Sequence, residues 1–187
     1  MMAAYFVLSP DLDASFMRIK QSRLSERYPD AIHFGESIKP TRQQPVLDLE
    51  KKTAKPVDLV GGMTTVPIVS GRMRMVVEAL PDHVEFYPVR LVLPKDPKLD
   101  YRYFAMNVLH NVNAFDREKS EYTDFDYSPV VLRVTKLAIV ESRVGTRNIF
   151  RLTNYPSLLI VSAKVREAFE AASLIGLQFT AIADYKR

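Results

Sequence analysis

The chain is 187 residues long, 47% hydrophobic and 26% charged, the composition of a folded globular protein rather than a disordered or fibrous one. It holds no Cys and three His (His33, His83 and His110), which excludes disulfides, thiol nucleophiles, iron–sulfur clusters and thiolate zinc sites, and leaves little for a histidine-based metal site. Its net charge of +4 is spread along the chain and not gathered on one element, which disfavours nucleic-acid binding.

Residues 3–8, Ala-Ala-Tyr-Phe-Val-Leu, read as a strand entering the turn Ser9-Pro10-Asp11. The segment lacks a basic leader, and no window reaches the ~18 apolar residues of a membrane span, so a cytoplasmic location is expected. Residues 9–65 are the least regular, with a short helix expected around 14–23, a strand around 31–34, and Pro at 29, 40, 45 and 56. Residues 37–55 read as a long polar loop or wrapping arm, because each Pro removes a backbone donor and biases its predecessor toward extended conformations. Gly61 and Gly62 mark a turn and a boundary. On this reading an irregular N-terminal segment, 1–60, packs on an α+β domain, 61–187, within one compact unit.

From there the pattern becomes regular and contains an internal echo. Ile68-Val69-Ser70-Gly71-Arg72-Met73-Arg74 returns ninety-two residues later as Ile160-Val161-Ser162-Ala163-Lys164-Val165-Arg166. In both copies Ser stands where a helix N-cap belongs, its hydroxyl placed to accept from the exposed N–H groups of the first turn. The expected helices are 71–80 and 163–172, each followed by a strand, 84–89 and 177–182. Met73, Val76, Val77 and Leu80 share one helix face, as do Val165, Ala168, Phe169 and Ala172, so both stripes read as core. Two pseudo-equivalent halves sharing a sheet are expected.

Between the copies, residues 101–109 are aromatic and partly alternating, a strand; 113–120 read as a turn or short helix; and 130–135, 138–141 and 149–152 are further strands. The fold class is therefore α+β, a mixed sheet with two pseudo-repeated strand–helix–strand units and an irregular N-terminal arm.

Catalytic constellations are weak. Gly61 and Gly62 have neither the spacing nor the Lys-Ser/Thr of a phosphate loop. His110, Asp116 and Ser120 contain a base, an acid and a hydroxyl, but no nucleophile elbow accompanies them; Asp116 more simply caps the following turn while Ser120 bonds backbone. Asp48, Glu50 and Lys52 include the Glu-x-Lys fragment of metal-dependent nucleases, yet lack the preceding Asp at strand distance and read as a solvated charge run. The alternative these groups define is a small hydrolase or nucleic-acid-processing factor. The least ordinary segment is Glu121-Tyr122-Thr123-Asp124-Phe125-Asp126-Tyr127. Its acids (Glu121, Asp124, Asp126) alternate with aromatics (Tyr122, Phe125, Tyr127), a combination that serves a protein interface, or else a solvated loop or an edge strand with one aromatic face buried.

Tyr103-Phe104-Ala105-Met106-Asn107-Val108, then residues 113–122, Ile149-Phe150-Arg151-Leu152, residues 156–162 and Gly176-Leu177-Gln178-Phe179 together resemble the family catalogued eleventh among bacterial immunity proteins. The resemblance covers about residues 66–183, and where that family commonly has Leu-Asn this chain has Met106-Asn107. It implies a protein of polymorphic-toxin and contact-dependent (type VI) secretion loci that binds and neutralises a cognate toxin encoded beside it, by occlusion or allosteric block. No catalytic residue, metal or cofactor is implied. A toxin acting in the cytoplasm is the expected partner, met through a surface that includes residues 121–127.

Overall fold

The computed structural model describes residues 5–13, 15–21, 35–39, 44–51, 54–64, 66–93, 96–125 and 128–186. The strand expected at 31–34 lies outside them. Among the described residues thirteen strands and two α-helices are arranged as a closed barrel, an open sheet and a hairpin.

Six strands close the barrel: β2 (Arg18–Gln21), β3 (Val46–Leu49), β4 (Leu59–Gly62), β5 (Ile68–Val69), β6 (Val84–Leu93) and β7 (Asp96–Val108), in the order β2-β3-β6-β7-β5-β4 with β4 pairing back onto β2. The long β6–β7 antiparallel pair is its backbone, and period-two burial shows why these residues are strands: Tyr87, Val89, Leu91 and Leu93 point inward while Pro88 and Arg90 point out. Pro88 lies outside the stretch 90–92 that pairs with β3, so its missing donor interrupts no rung there. Met17 and Ile19 enter the same core from β2 and its lead-in, and Leu47 and Leu49 from β3.

Two expectations for the N-terminal region are thereby corrected. Residues 18–21 are a strand and not part of a helix, because Met17 and Ile19 are buried alternately with the half-exposed Arg18 and exposed Lys20. Residues 46–49, expected within a long loop, form a barrel strand, since Leu47 and Leu49 supply an inward face. Gly61 and Gly62 end β4, and Gly62 is required: at φ +116° a Cβ would stand 2.2 Å from the Ile19 carbonyl oxygen.

The open sheet has the order β13-β1-β12-β11-β8, from β1 (Tyr5–Pro10), β8 (Asn111–Val112), β11 (Ile149–Leu152), β12 (Tyr155–Ser162) and β13 (Leu177–Ala181). β1 is flanked by β12 and β13, both antiparallel, so the first strand of the chain is held by the last two. One face carries Tyr5, Val7, Phe150, Leu152, Leu158 and Ile160, covered by Phe115 and by Val131 and Val134 of strand β10 (Val131–Lys136). The other face meets the helices and the barrel wall through Leu8, Ile149, Leu159, Val161, Met106 and Val108.

The helices α1 (Gly71–Glu78) and α2 (Ala163–Ala171) lie at this seam. Met73, Val77, Val165 and Phe169 are the buried members of the two expected stripes, each worth about 1.5–3 kcal/mol of burial. Ser70 caps α1 as expected, accepting from Met73 N–H at 3.2 Å. Ser162 does not cap α2; its hydroxyl instead pairs with Asn148 Oδ1 at 3.1 Å. Arg74 and Arg166 occupy matching places in the two copies, each pairing with a Glu one turn on (Glu78 at 2.8 Å, Glu170 at 2.7 Å) and lying over Phe rings, Phe104 at 4.6 Å and Phe6 at 4.9 Å. The two units nevertheless do not share a sheet. β5 and β6 belong to the barrel, whereas β12 and β13 flank β1 in the open sheet. Residues 138–141 are likewise not a strand: Ile139 makes an isolated bridge to Phe115, and a 3-10 turn, Glu141–Arg143, begins at once.

Candidate functional site

Residues 121–124 form strand β9 (Glu121–Asp124), paired antiparallel with β10 into a two-stranded sheet whose register shifts twice. Tyr122 turns inward and meets Phe115 edge-on at 5.3 Å, joining the core beneath the hairpin. Arg117 clamps the outer side. Its Nη1 donates to Asp124 Oδ1 at 2.9 Å and to the Tyr122 hydroxyl at 3.2 Å, its Nη2 donates to the Pro129 carbonyl at 3.3 Å, and its guanidinium lies 5.2 Å from the Tyr122 ring centroid. The hydrogen bond to Asp124 is the largest influence holding the Arg117 pKa above its ordinary value. Glu121 pairs with Lys136 at 3.4 Å, and its carbonyl accepts from the Thr135 hydroxyl at 3.0 Å.

The described acids of the segment are thus compensated locally, each by a cation of the same hairpin region. Among the described residues Phe125, 55% exposed, and Leu132, 58% exposed, are the large apolar side chains the region offers to solvent. Asp126 and Tyr127 lie outside the described residues. Of the candidate interface residues, Tyr122 has a structural task, Glu121 and Asp124 are exposed and paired, and Phe125 is exposed.

His110, Asp116 and Ser120 are not assembled into a triad. Asp116 Oδ1 accepts from the backbone N–H of Glu118 and Lys119 at 3.1 and 3.2 Å, which caps the turn, and the Ser120 hydroxyl bonds the Ala138 carbonyl and N–H at 3.2 and 2.9 Å. His110 instead meets His83 edge-on at 5.3 Å, and burial, then Arg147, pulls its pKa below the ordinary value. Asp48 lies in β3 and Glu50 just after it, while Lys52 and His33 lie outside the described residues. Among the described residues no group of three or more His, Asp or Glu could hold a metal ion.

Three buried polar side chains, Asp58, Asn107 and Arg151, belong to none of the candidate motifs. Asp58 collects the Ser70 hydroxyl, the Ile175 N–H at 2.9 Å and Arg72 at 3.5 Å, tying the barrel to both helix ends. Asn107 donates to the Glu36 carbonyl at 2.8 Å and holds residues 35–39 against the barrel, where the Ile38 N–H donates to the Tyr87 hydroxyl at 3.2 Å. Arg151 is 1% exposed and donates from Nη1 to the Pro156 carbonyl at 2.7 Å, while its Nε and Nη2 have no hydrogen-bond partner among the described residues. The available signal was one polar residue inside an apolar run: Val57-Asp58-Leu59-Val60, Ala105-Met106-Asn107-Val108, and Ile149-Phe150-Arg151-Leu152. All three sit where the chain is being held together.

A cleft of about 550 Å³ opens where the open sheet meets the barrel, with Leu8, Leu59 and Leu159 on apolar walls and Ser9, Ser157, Gln178 and Thr180 supplying neutral polar groups. Among the described residues its lining contains no His, and its charged groups are Asp184 and Lys186. Its chemistry is that of hydrogen bonding and apolar contact.

The sequence model described as the Immunity protein family (Imm11) matches residues 5–184. The match therefore takes in residues 9–60, which the shorter resemblance over 66–183 left out. A search of curated proteins finds no match to the chain.

Proposed function

The chain belongs to the Imm11 immunity protein family, and from that premise we propose that it neutralises one cognate antibacterial toxin in the cytoplasm by forming a complex that occludes or allosterically blocks it. The family match over residues 5–184 carries the reading. It acts as a binding module and not as an enzyme. The dispersal of His110, Asp116 and Ser120 into separate structural tasks supports this, because a catalytic triad needs mutual hydrogen bonds.

The β9–β10 hairpin is the proposed contact surface. Phe125 and Leu132 supply exposed apolar anchors, and Glu121 and Asp124 supply carboxylates whose present partners are exposed cations. A stable inhibitory complex would bury roughly 1,600 Å² in all, so residues flanking the hairpin take part as well. The test is co-expression with each toxin of the producing strain in a sensitive host, followed by calorimetry with the toxin against which protection is seen. Protection together with a measurable complex is expected. Protection with no complex would overturn the binding reading, since it would require this chain to act on the toxin's product.

A further inference from the structure

The open sheet ends in a strand whose outer backbone groups await a neighbour. β13 stands last in the order β13-β1-β12-β11-β8, and among the described residues it pairs with β1 alone. The register that runs from Phe6↔Ala181 to Pro10↔Leu177 continues to Asp11, whose N–H donates to the Gly176 carbonyl at 2.9 Å. Antiparallel pairing alternates bonded and non-bonded positions, so Gly176, Gln178 and Thr180 turn their backbone groups toward β1. Pro10, which has no N–H, falls opposite Leu177 at a non-bonded position, as that alternation requires. The N–H and C=O groups of Leu177, Phe179 and Ala181 therefore point away from the sheet, and no backbone partner for them stands among the described residues.

Bare edges are ordinarily defended by shortness, charge, proline or bulges. β8 is two residues long, β9 carries Glu121 and Asp124, and β10 carries Arg133 and Lys136. Leu177-Gln178-Phe179-Thr180-Ala181 has no charge and no proline, and its pairing with β1 has no bulge. Its outward residues are also symmetric about Phe179. A two-fold axis there sets Phe179 opposite its own copy and Leu177 opposite Ala181, all at bonded positions, for about six hydrogen bonds between the copies. The same pairing sets the Gln178 amide opposite the Thr180 hydroxyl on the cleft side of the sheet, and the long Leu177 opposite the short Ala181 on the helix side. Arg166 lies 5.8 Å from the Phe179 ring centroid but is held by Glu170 at 2.7 Å, so each copy brings a neutralised pair to the seam. A foreign strand could satisfy the backbone; a second copy matches the side chains as well, by symmetry alone.

We propose that two copies of this chain associate through β13, antiparallel about a two-fold axis at Phe179, into a sheet continuous across both. Five paired residues make a contact smaller than a standard interface, so the dimer is weak, with a dissociation constant on the order of 10–100 μM. The assignment concerns the free protein and stands apart from the toxin-binding reading and from the hairpin.

The test is sedimentation of the full chain from about 1 to 300 μM, with amide exchange measured at both ends of that range. The sedimentation coefficient is expected to rise toward that of a dimer. The amides of Leu177, Phe179 and Ala181 should exchange about threefold or more slowly at the high concentration, while those of Gln178 and Thr180, already bonded to β1, do not change. Two double variants fix the register. Gln178→Glu with Thr180→Glu sets like charges opposite one another across the axis and should weaken association about tenfold or more, whereas Gln178→Lys with Thr180→Glu sets opposite charges there and should hold it within about threefold. Melting curves at the dilute end show that both variants fold, and exchange on the unsubstituted chain decides the matter where one does not. A chain monomeric throughout, a dimer in which the three outward amides gain no protection, or a dimer that the two variants affect equally would overturn the proposal. No toxin enters these measurements, so their failure leaves the neutralisation reading to the co-expression assay.

Discussion

Replacing Arg151 by Met removes a buried cation while keeping an unbranched side chain of similar volume. Arg151 sits on β11, among the largest side chains fully withdrawn from solvent, and among the described residues its hydrogen bonding is to the Pro156 carbonyl at 2.7 Å. Burial pulls its pKa from the ordinary 12.5 down to about 10, which corresponds to a cost of about 3 kcal/mol for keeping it charged at neutral pH. Against this stands one charge-assisted hydrogen bond, worth about 1.5–3 kcal/mol. The balance predicts that Arg151→Met is neutral or stabilising by about 1 kcal/mol, raising Tm by about 2–4 °C in a chain of this size. Arg151→Ala removes the same charge but leaves a cavity, and is expected to destabilise by about 2–4 kcal/mol. Urea denaturation of the three proteins at pH 7, with a common m value, separates the two effects. Loss of more than about 2 kcal/mol in Arg151→Met would refute the reasoning, because the guanidinium would then be contributing more than its visible contacts allow.

The remaining expectations concern other buried or exposed groups. Asp58→Ala releases the Ser70 hydroxyl, the Ile175 N–H and Arg72, and should cost about 3 kcal/mol in urea and speed amide exchange at Met73 in the first turn of α1. Asn107→Leu should cost about 1–2 kcal/mol and lower the exchange protection of the Ile38 amide, since residues 35–39 lose their tie to the barrel. His110 has a folded pKa below 6.5, so the unfolded state binds more protons in the interval beneath that value; stability is full above about pH 6.5 and falls as pH drops through the interval, a slope that His110→Asn should flatten in urea midpoints measured down to about pH 5. Phe125→Ala with Leu132→Ala should leave stability within about 0.5 kcal/mol yet weaken toxin binding about tenfold or more by calorimetry, whereas Tyr122→Ala should destabilise by about 3 kcal/mol because its ring packs on Phe115.

What the sequence made legible followed from local periodicity. Residues 84–93 alternate with a period of two, and 71–78 and 163–171 carry apolar stripes at helical spacing, so β6, α1 and α2 could be read without their neighbours. The barrel could not. β2, β3, β4 and β5 are two to four residues long, shorter than any periodicity test can use, and they exist because β6 and β7 offer edges and an apolar interior for Ile19, Leu47 and Ile68. The Pro-rich composition around 40–56 pointed to a loop because propensity is local, whereas closure of a barrel is decided by partners far away in the chain, β2 with β4 and β3 with β6. The same limit explains the internal echo. Matching residues generate matching helices with matching Arg–Glu pairs over Phe rings, but which sheet receives each flanking strand is set by pairing, which the seven matched residues do not encode.

The candidate surface was legible as composition and misleading as electrostatics. A count of acids along residues 121–127 suggests a negative strip inside a basic chain, the arrangement that would mimic a polyanionic substrate. Folding brings Arg117 onto Asp124 and Lys136 onto Glu121, and both cations come from outside the counted segment. The negative potential is therefore reduced wherever the described acids stand. These pairs are exposed on both sides, so each is worth about 0–1 kcal/mol and is easily exchanged. At the proposed contact surface a toxin cation would displace Arg117 or Lys136 at little cost, while its apolar groups would gain contact with Phe125 and Leu132. On the proposed hairpin interface selectivity would reside in the geometry with which carboxylates stand beside aromatic and aliphatic anchors, and raised salt should slow association with the toxin only modestly, in contrast to the steep dependence of a true polyanion mimic.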